Sequence, residues 1–200
     1  MTHVIDLNAY LHRIGYDGPL TATLETLRAV TTAHVAAIPF ENLDPLLRVP
    51  VSLDIEAIER KLVHERRGGY CFEQNGLLIA VLRTLGYDVF GLIARVLWMK
   101  PEDSEVAQTH MLLRVELDGE SWLVDVGFGS MALGGALRLQ ADVAQETGNE
   151  PFRLMQRDGD WRMQANVHGE WRTLYRFDLQ QRPPIDYVVA NHYTATHPAS

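Results

Sequence analysis

His110-Met-Leu-Leu-Arg-Val-Glu-Leu117, Asp118-Gly119 and Glu120-Ser-Trp-Leu-Val-Asp-Val-Gly127 read as two strands joined by a dipeptide that favours a two-residue hairpin turn. With the turn placed, the register follows: Leu117 faces Glu120, Val115 faces Trp122 and His110 faces Gly127. Side chains alternate between the two faces of a strand. Met111, Leu113, Val115 and Leu117 therefore share one face with Trp122, Val124, Val126 and Phe128, an apolar set that has to be core. The other face carries His110, Leu112, Arg114 and Glu116 with Ser121, Leu123, Asp125 and Gly127. His110 and Asp125 become diagonal neighbours, at the roughly 7–8 Å that long side chains can bridge. A carboxylate so placed fixes the imidazole tautomer and leaves the second ring nitrogen free to take a proton. The same pair would also serve as a purely structural contact on a half-buried sheet.

The two-residue period begins at Asp88 and continues through further turn signals at Asp158-Gly159 and His168-Gly169, each just ahead of a strand with a tryptophan, Trp161 or Trp171. Hairpin chemistry accounts for this recurrence without any function. A meander of this length predicts an antiparallel sheet or small barrel. Pro183-Pro184 closes it, and Asp186 to His197 reads either as a last helix or as an irregular segment.

Upstream of Asp88 the period is helical. Asp6 is placed to cap a helix with Leu7, Tyr10, Leu11 and Ile14 on one face and Gly15 as its stop. Thr23 caps a second helix that buries Leu24, Leu27 and Val35 and ends at Pro39, and Asp54 caps a third carrying Ile55, Ile58, Leu62 and Val63. Arg66-Arg67-Gly68-Gly69-Tyr70 breaks the pattern. Cys71 then opens a fourth helix with Leu77, Leu78, Val81, Leu82 and Leu85 inward and Gly86 at its end. The fold class is α+β, with a helical domain over residues 1–86 and a β domain over 87–200.

The 200 residues are 46% hydrophobic and carry a formal charge of -8, with 18 basic and 26 acidic side chains and no basic block. That is enough for one or two domains, and it offers no electrostatic footprint for nucleic acid. No run approaches the roughly 18 apolar residues of a membrane span, and Met1 to Tyr10 is not a signal sequence, so no membrane partner and a cytoplasmic location are expected. One cysteine excludes an intramolecular disulfide and a four-cysteine zinc site. The histidines besides His110 show no metal-ligand spacing with carboxylates, so no metal is expected. Gly127-Phe128-Gly129 and Gly134-Gly135 do not form a dinucleotide fingerprint, and no phosphate-binding loop occurs.

A lone cysteine is commonly a small buried hydrophobe. Cys71, however, sits in the first turn of its helix, where unpaired N–H groups and the helix dipole favour an anion, and two glycines before it let another chain approach closely. Phe40-Glu41-Asn42 follows Pro39, and Glu41 can pair with Arg67 beside the cysteine, an interaction of less than ~1 kcal/mol if it is an ordinary surface pair.

Arg67-Gly68-Gly69-Tyr70-Cys71-Phe72-Glu73-Gln74-Asn75 closely resembles the Arg-Gly-Gly-x-Cys-x-Glu-x-Asn signature of arylamine N-acetyltransferases. The resemblance extends to Ile38-Pro39-Phe40-Glu41-Asn42-Leu43, to His110, to Asp125-Val126-Gly127-Phe128-Gly129, and to Asn191 and Thr196-His197-Pro198. It implies a cysteine-protease-like fold, an N-terminal helical bundle followed by an antiparallel β-barrel. The implied activity is transfer of acetyl from acetyl-CoA, as cosubstrate, to a small-molecule arylamine, arylhydrazine or N-hydroxyarylamine through an acetyl-cysteine. Cys71 matches the nucleophile, His110 the base and Asp125 the third member, while Phe128 and Phe40 match aromatics of the acceptor pocket and Gly129 the loop that meets the pantetheine arm. The loop Ser130-Met-Ala-Leu-Gly-Gly-Ala136 lacks the prolines common there. Family members also continue past the point matching Ser200 into a third, α/β domain. Without that domain, exposed apolar surface, self-association and easier hydrolysis of the acetyl-cysteine are expected. A cysteine hydrolase or transglutaminase-like enzyme would use the same three residues, and a binding module with a structural Cys71 would use none.

Overall fold

Each helix start announced by a capping residue is present in the computed structural model, which describes residues 3–148 and 150–197. Asp6 accepts from Ala9 N at 2.9 Å at the head of α1 (Leu7–Ile14), and Gly15 closes that helix in the left-handed region at φ 68°. Thr23 accepts from Thr26 N at 3.2 Å to begin α2 (Leu24–Ala37). A four-residue helix, α3 (Leu43–Leu46), follows that the sequence pattern did not announce. The helix expected to run from Asp54 through Val63 is instead α4 (Ile55–Glu59) passing into a π-helical turn, Arg60–His64. At this widened turn the buried Arg13 guanidinium donates to Leu62 O at 3.0 Å and to Ala37 O at 2.7 Å, taking up carbonyls at two helix ends. α5 (Cys71–Thr84) completes the helical half.

Among the described residues the β half is one antiparallel sheet of eight strands: β1 (Asp88–Val96), β2 (Gln108–Leu117), β3 (Glu120–Val124), β4 (Ala136–Arg138), β5 (Ala144–Gln145), β6 (Phe152–Arg157), β7 (Asp160–Val167) and β8 (Glu170–Phe177). The spatial order is β4-β3-β2-β1-β8-β7-β6-β5, and the sheet curls into a nearly closed barrel. The two edge strands are bridged by the Gln145 amide, which accepts from Arg138 N at 2.8 Å and donates to Arg138 O at 2.9 Å. Asp118-Gly119, Asp158-Gly159 and His168-Gly169 all have both residues at positive φ, the type I′ geometry their composition favours. The paired register is Leu117 with Glu120, Val115 with Trp122 and Leu113 with Val124, as the turn requires.

Two expectations about the hairpin fail. β3 ends at Val124, so the pairing of His110 with Gly127 does not form, and the chain leaves the ladder at Asp125. Phe128 consequently does not share the Val124–Val126 face; it packs with the barrel-side cluster beside Leu112 and Leu123. That second face is also not half-exposed, because closure of the sheet turns it into the barrel interior, and Leu112 and Leu123 are fully buried there. The protein therefore has two apolar cores. One lies between the helices and the outer face of β1–β3, and the other lies inside the barrel.

The segment after Pro183 is a helix, α6 (Pro184–Thr196), begun by a proline at its first position. Tyr70 Oη donates to Asn191 Oδ1, and Asn191 Nδ2 donates to Val51 O at 3.0 Å, which fastens α6 to the residue before Cys71. Pro198, part of the terminal run singled out above, lies outside the described residues. Among the described residues no helix is long and apolar enough to cross a membrane.

His34 shows how tightly the helical core is specified. It is fully buried, with Nε2 2.7 Å from Gln74 Oε1 and Nδ1 2.8 Å from Tyr10 Oη. The Gln74 amide nitrogen is committed to the carbonyls of Ile38, Pro39 and Gly69, so its oxygen must accept, Nε2 carries the proton and Nδ1 accepts from Tyr10. Burial lowers His34 to about 4. A folded-state value below the unfolded one makes protonation favour unfolding, so the contribution is complete above the unfolded value and is lost as pH falls from about 6.5 towards 4, at about 1.4 kcal/mol per unit. The His34 ring is expected to keep the neutral Nε2–H carbon-13 shifts at pH 5, with the urea midpoint falling over the same range. Titration of His34 near its ordinary value would contradict the arrangement.

Candidate active site

Glycines set the geometry before any reactive group is considered. A Cβ at Gly68 would lie 2.2 Å from Pro39 O, and one at Gly127 would lie 2.5 Å from Cys71 Cα. The first allows the segment after α2 to lie along the approach to α5, where Glu41 N donates to Gly69 O at 2.9 Å. The second allows the segment leaving β3 to rest directly on the first residue of α5. Tyr70 is extended, its N–H donating to Glu73 Oε2 at 3.1 Å, so α5 begins sharply at Cys71.

The pairing of Glu41 with Arg67 exists, but not as an ordinary surface pair. Arg67 also contacts Asp44 at 2.6 Å, and Lys61 joins Asp44 at 2.7 Å to Glu73 at 2.6 Å. Burial pushes the Glu73 carboxyl up, and Lys61 beside it works against that shift. The network ties the Phe40–Asp44 segment to the turn before Cys71, and a chain of partly buried charges of this kind resists removal of any one member.

Cys71, His110 and Asp125 are brought together, at 5%, 2% and 1% exposure. His110 Nε2 lies 2.7 Å from Asp125 Oδ2. The carboxylate is further held by Tyr175 Oη at 2.9 Å on Oδ2, and by Gly127 N at 3.0 Å and Asn75 Nδ2 at 3.1 Å on Oδ1. With Nε2 engaged by Asp125, Nδ1 is the ring nitrogen left for the thiol. Sγ also lies 3.6 Å from Thr109 O. Burial disfavours the imidazolium, yet the Asp125 carboxylate and Cys71 outweigh it and raise His110 above its ordinary value. Burial likewise opposes the Asp125 charge, but His110 and the donors around the carboxylate hold it below its ordinary value.

Phe128 stands edge-on to the His110 ring at 5.1 Å, and Tyr175 covers the same ring at 4.8 Å. Phe40, 47% exposed, reaches to within 3.8 Å of where a Gly129 Cβ would stand, so Phe40 and Gly129 face one another. Three participants were missed in the sequence. Asn75 stood in the quoted run at i+4 from Cys71, a spacing that places both on one helix face. Gly127 stood in the run after Asp125. Tyr175 carries no local signal, because only barrel closure brings β8 against β2. A thiol at a helix start, an imidazole and an oriented carboxylate in a largely buried site are groups that can support nucleophilic acyl transfer.

A family profile described as N-acetyltransferase matches residues 23–200. An arylamine N-acetyltransferase of Mycolicibacterium smegmatis is 49% identical over 98% of this chain and 73% of its own length. An arylamine N-acetyltransferase / N-hydroxyarylamine O-acetyltransferase of Salmonella typhimurium is 44% identical over 97% of this chain and 69% of its own length. The solved structure of Mycobacterium marinum arylamine N-acetyltransferase in complex with CoA superposes with a TM-score of 0.94 at 48% identity, covering 98% of this chain and 73% of that one.

Tyr175→Phe should remove one of the four donors around Asp125 without disturbing the aromatic packing. Iodoacetamide alkylation of Cys71 at pH 7 is expected to slow by roughly three- to tenfold, the scale of one hydrogen bond to a charged group, and to slow more in Asp125→Asn, which favours the wrong tautomer. Alkylation of both variants at the rate of the unaltered protein would mean that the carboxylate does not orient His110.

Proposed function

We propose, for a chain that belongs to the arylamine N-acetyltransferase family, that it moves acetyl from acetyl-CoA to an arylamine, arylhydrazine or N-hydroxyarylamine in a ping-pong cycle through an acetyl-cysteine at Cys71. The observation that carries this reading is the placement of the Cys71 side chain at the start of α5, against a His110 ring that Asp125 orients. The helical part, 1–86, supplies the nucleophile, and the β part, 87–200, supplies the base and its partner.

In the first half-reaction His110 takes the thiol proton, and the sulfur attacks the thioester carbonyl. Backbone N–H groups at the start of α5 face the developing oxyanion. The carbonyl re-forms as the bond to the coenzyme's sulfur breaks, and His110 returns the proton to that sulfur, so free CoA departs. In the second half-reaction the acceptor nitrogen or oxygen attacks the acetyl-cysteine, His110 removes its proton, and the Cys71 sulfur leaves. Phe40 and Phe128 flank the acceptor, and Gly129, which has no side chain, gives the pantetheine arm room. A hydrolase or transglutaminase-like enzyme would use the same three residues, so coenzyme dependence separates the readings.

Mixing the protein with acetyl-CoA should add one acetyl group by intact mass, located on Cys71 and released when an arylamine follows. Cys71→Ala and Cys71→Ser should both lose acetyl transfer, since an alkoxide is not available near neutral pH at such a site. Substantial turnover by either variant would sink the covalent route. Turnover of glutaminyl or peptide substrates with no response to acetyl-CoA would favour the hydrolase reading.

A further inference from the structure

Burial does little to hold the segment that carries Phe40. Phe40 is 47% exposed, and Leu43, Leu46 and Leu47 beyond it are 50%, 74% and 70% exposed, so apolar packing leaves the position of the Phe40 ring loosely set. Directional bonds fix the segment from both ends instead. After Phe40, Glu41 and Asp44 are tied to Arg67, and Asp44 also to Lys61. Before Phe40, α2 stops at Ala37, and the chain turns away with the carbonyls of Ile38 and Pro39 beyond the last helical turn. The Gln74 amide meets both of them.

Gln74 lies on α5, in the same first turn as Cys71, and is fully buried. Its Nε2 is 3.3 Å from Ile38 O, 2.9 Å from Pro39 O and 3.2 Å from Gly69 O, so two hydrogens are shared among three carbonyls. Pro39 O and Gly69 O are also the acceptors of the short parallel bridge between Phe40 and Gly69, taking Gly69 N at 3.3 Å and Glu41 N at 2.9 Å. One amide thus fastens the residue before Phe40 to the turn that leads into Cys71. His34 Nε2, 2.7 Å from Gln74 Oε1, keeps the amide from turning over, which would set its oxygen against three carbonyl oxygens. Phe40 in turn faces Gly129, and the neighbouring Phe128 ring stands edge-on to His110.

We infer that Gln74 is a positioning residue for the acceptor, setting through Pro39 O and Gly69 O where Phe40 stands beside Cys71. The inference rests on the reading of Phe40 as a wall of the arylamine site. NMR titration of the full, unacetylated chain with p-toluidine tests it. Phe40→Ala, at a half-exposed position, should weaken binding. Gln74→Met keeps the length of the side chain but cannot donate, and should weaken binding roughly three- to tenfold. Because Gln74 acts through Phe40, the double variant should bind no more weakly than Phe40→Ala alone. Iodoacetamide alkylation of Cys71 in Gln74→Met should change much less than acceptor binding does, since Asn75 rather than Gln74 holds Asp125. The unaltered chain gives a second measurement that needs no variant to fold. Hydrogen exchange of the Gln74 side-chain amide should slow when p-toluidine is bound, because the state with that amide released binds it poorly. The inference is overturned if p-toluidine does not bind, if either single variant binds it as the unaltered protein does, or if the two losses add. Alkylation slowed as much as binding is weakened, or amide exchange indifferent to p-toluidine, would overturn it as well. A failure of acetyl-CoA to acetylate Cys71 would instead count against the covalent route and leave these binding outcomes as they stand.

Discussion

The Asn75 side chain, one turn along α5 from Cys71, joins the two halves of the molecule. Its amide nitrogen donates to Met111 O at 2.8 Å and to Asp125 Oδ1 at 3.1 Å, and its oxygen accepts from Val126 N at 3.3 Å. One side chain on α5 thus grips the strand that carries His110 and the segment that carries Asp125. All three bonds are buried, so each unmade partner would carry a desolvation cost of about 1–3 kcal/mol. A helix held only by apolar packing could rotate or slide by a fraction of an ångström, whereas directional bonds at i+4 from Cys71 fix its azimuth and rise together. The contact between Gly127 and Cys71 Cα then becomes possible, and with it the approach of thiol and imidazole.

That constraint explains what could be read in the sequence and what could not. Caps and hairpin dipeptides act within a few residues, so Asp6, Thr23, Asp118-Gly119 and the tryptophan hairpins were legible and took the expected forms. The diagonal relation of His110 and Asp125 also followed from local register, even though the ladder stops at Val124 short of the pairing that register implied. The buried second face was not legible, because alternation alone cannot tell a sheet with one wet side from a sheet that closes on itself. Leu112 and Leu123 were the clue, two apolar residues on the face assigned to polar groups. The π-helical turn escaped for a similar reason, since its widened spacing is tied to an arginine some fifty residues earlier in the chain.

Burying a carboxylate is costly unless it is paired and fully hydrogen-bonded. Asp125 meets both conditions, with the His110 ring and three further donors around it, and those donors come from α5, β8 and its own segment. The charge is therefore affordable only in the assembled fold. Tyr175 and Phe128 exclude water from two sides of the His110 ring, which strengthens the His110–Asp125 attraction. Residues as distant in sequence as Asn75 and Tyr175 act on one carboxylate, so their effects on it need not add.

The position of the site at the seam between two cores follows from the same chemistry. Unpaired N–H groups at a helix start favour an anion and a rigid strand holds an imidazole in place, and joining a bundle to a barrel brings these two surroundings together. Joining them leaves α5 with one face against β2 and the Asp125 segment and another lining a cavity under α6, where Phe72 and Gly76 stand beside Cys71 and Asn75 in the sequence. α6 is in turn tied through Asn191 to Tyr70, the residue that sets where α5 begins. Movement of α6 therefore has a direct mechanical route to Cys71 through the Tyr70 hydroxyl, whereas movement of the outer barrel strands β5 and β6 reaches the site through several strands, by β7 and β8 to Tyr175 or across the Gln145–Arg138 bridge to β4 and β3. The helical side of the seam is the side on which small displacements bear most directly on Cys71.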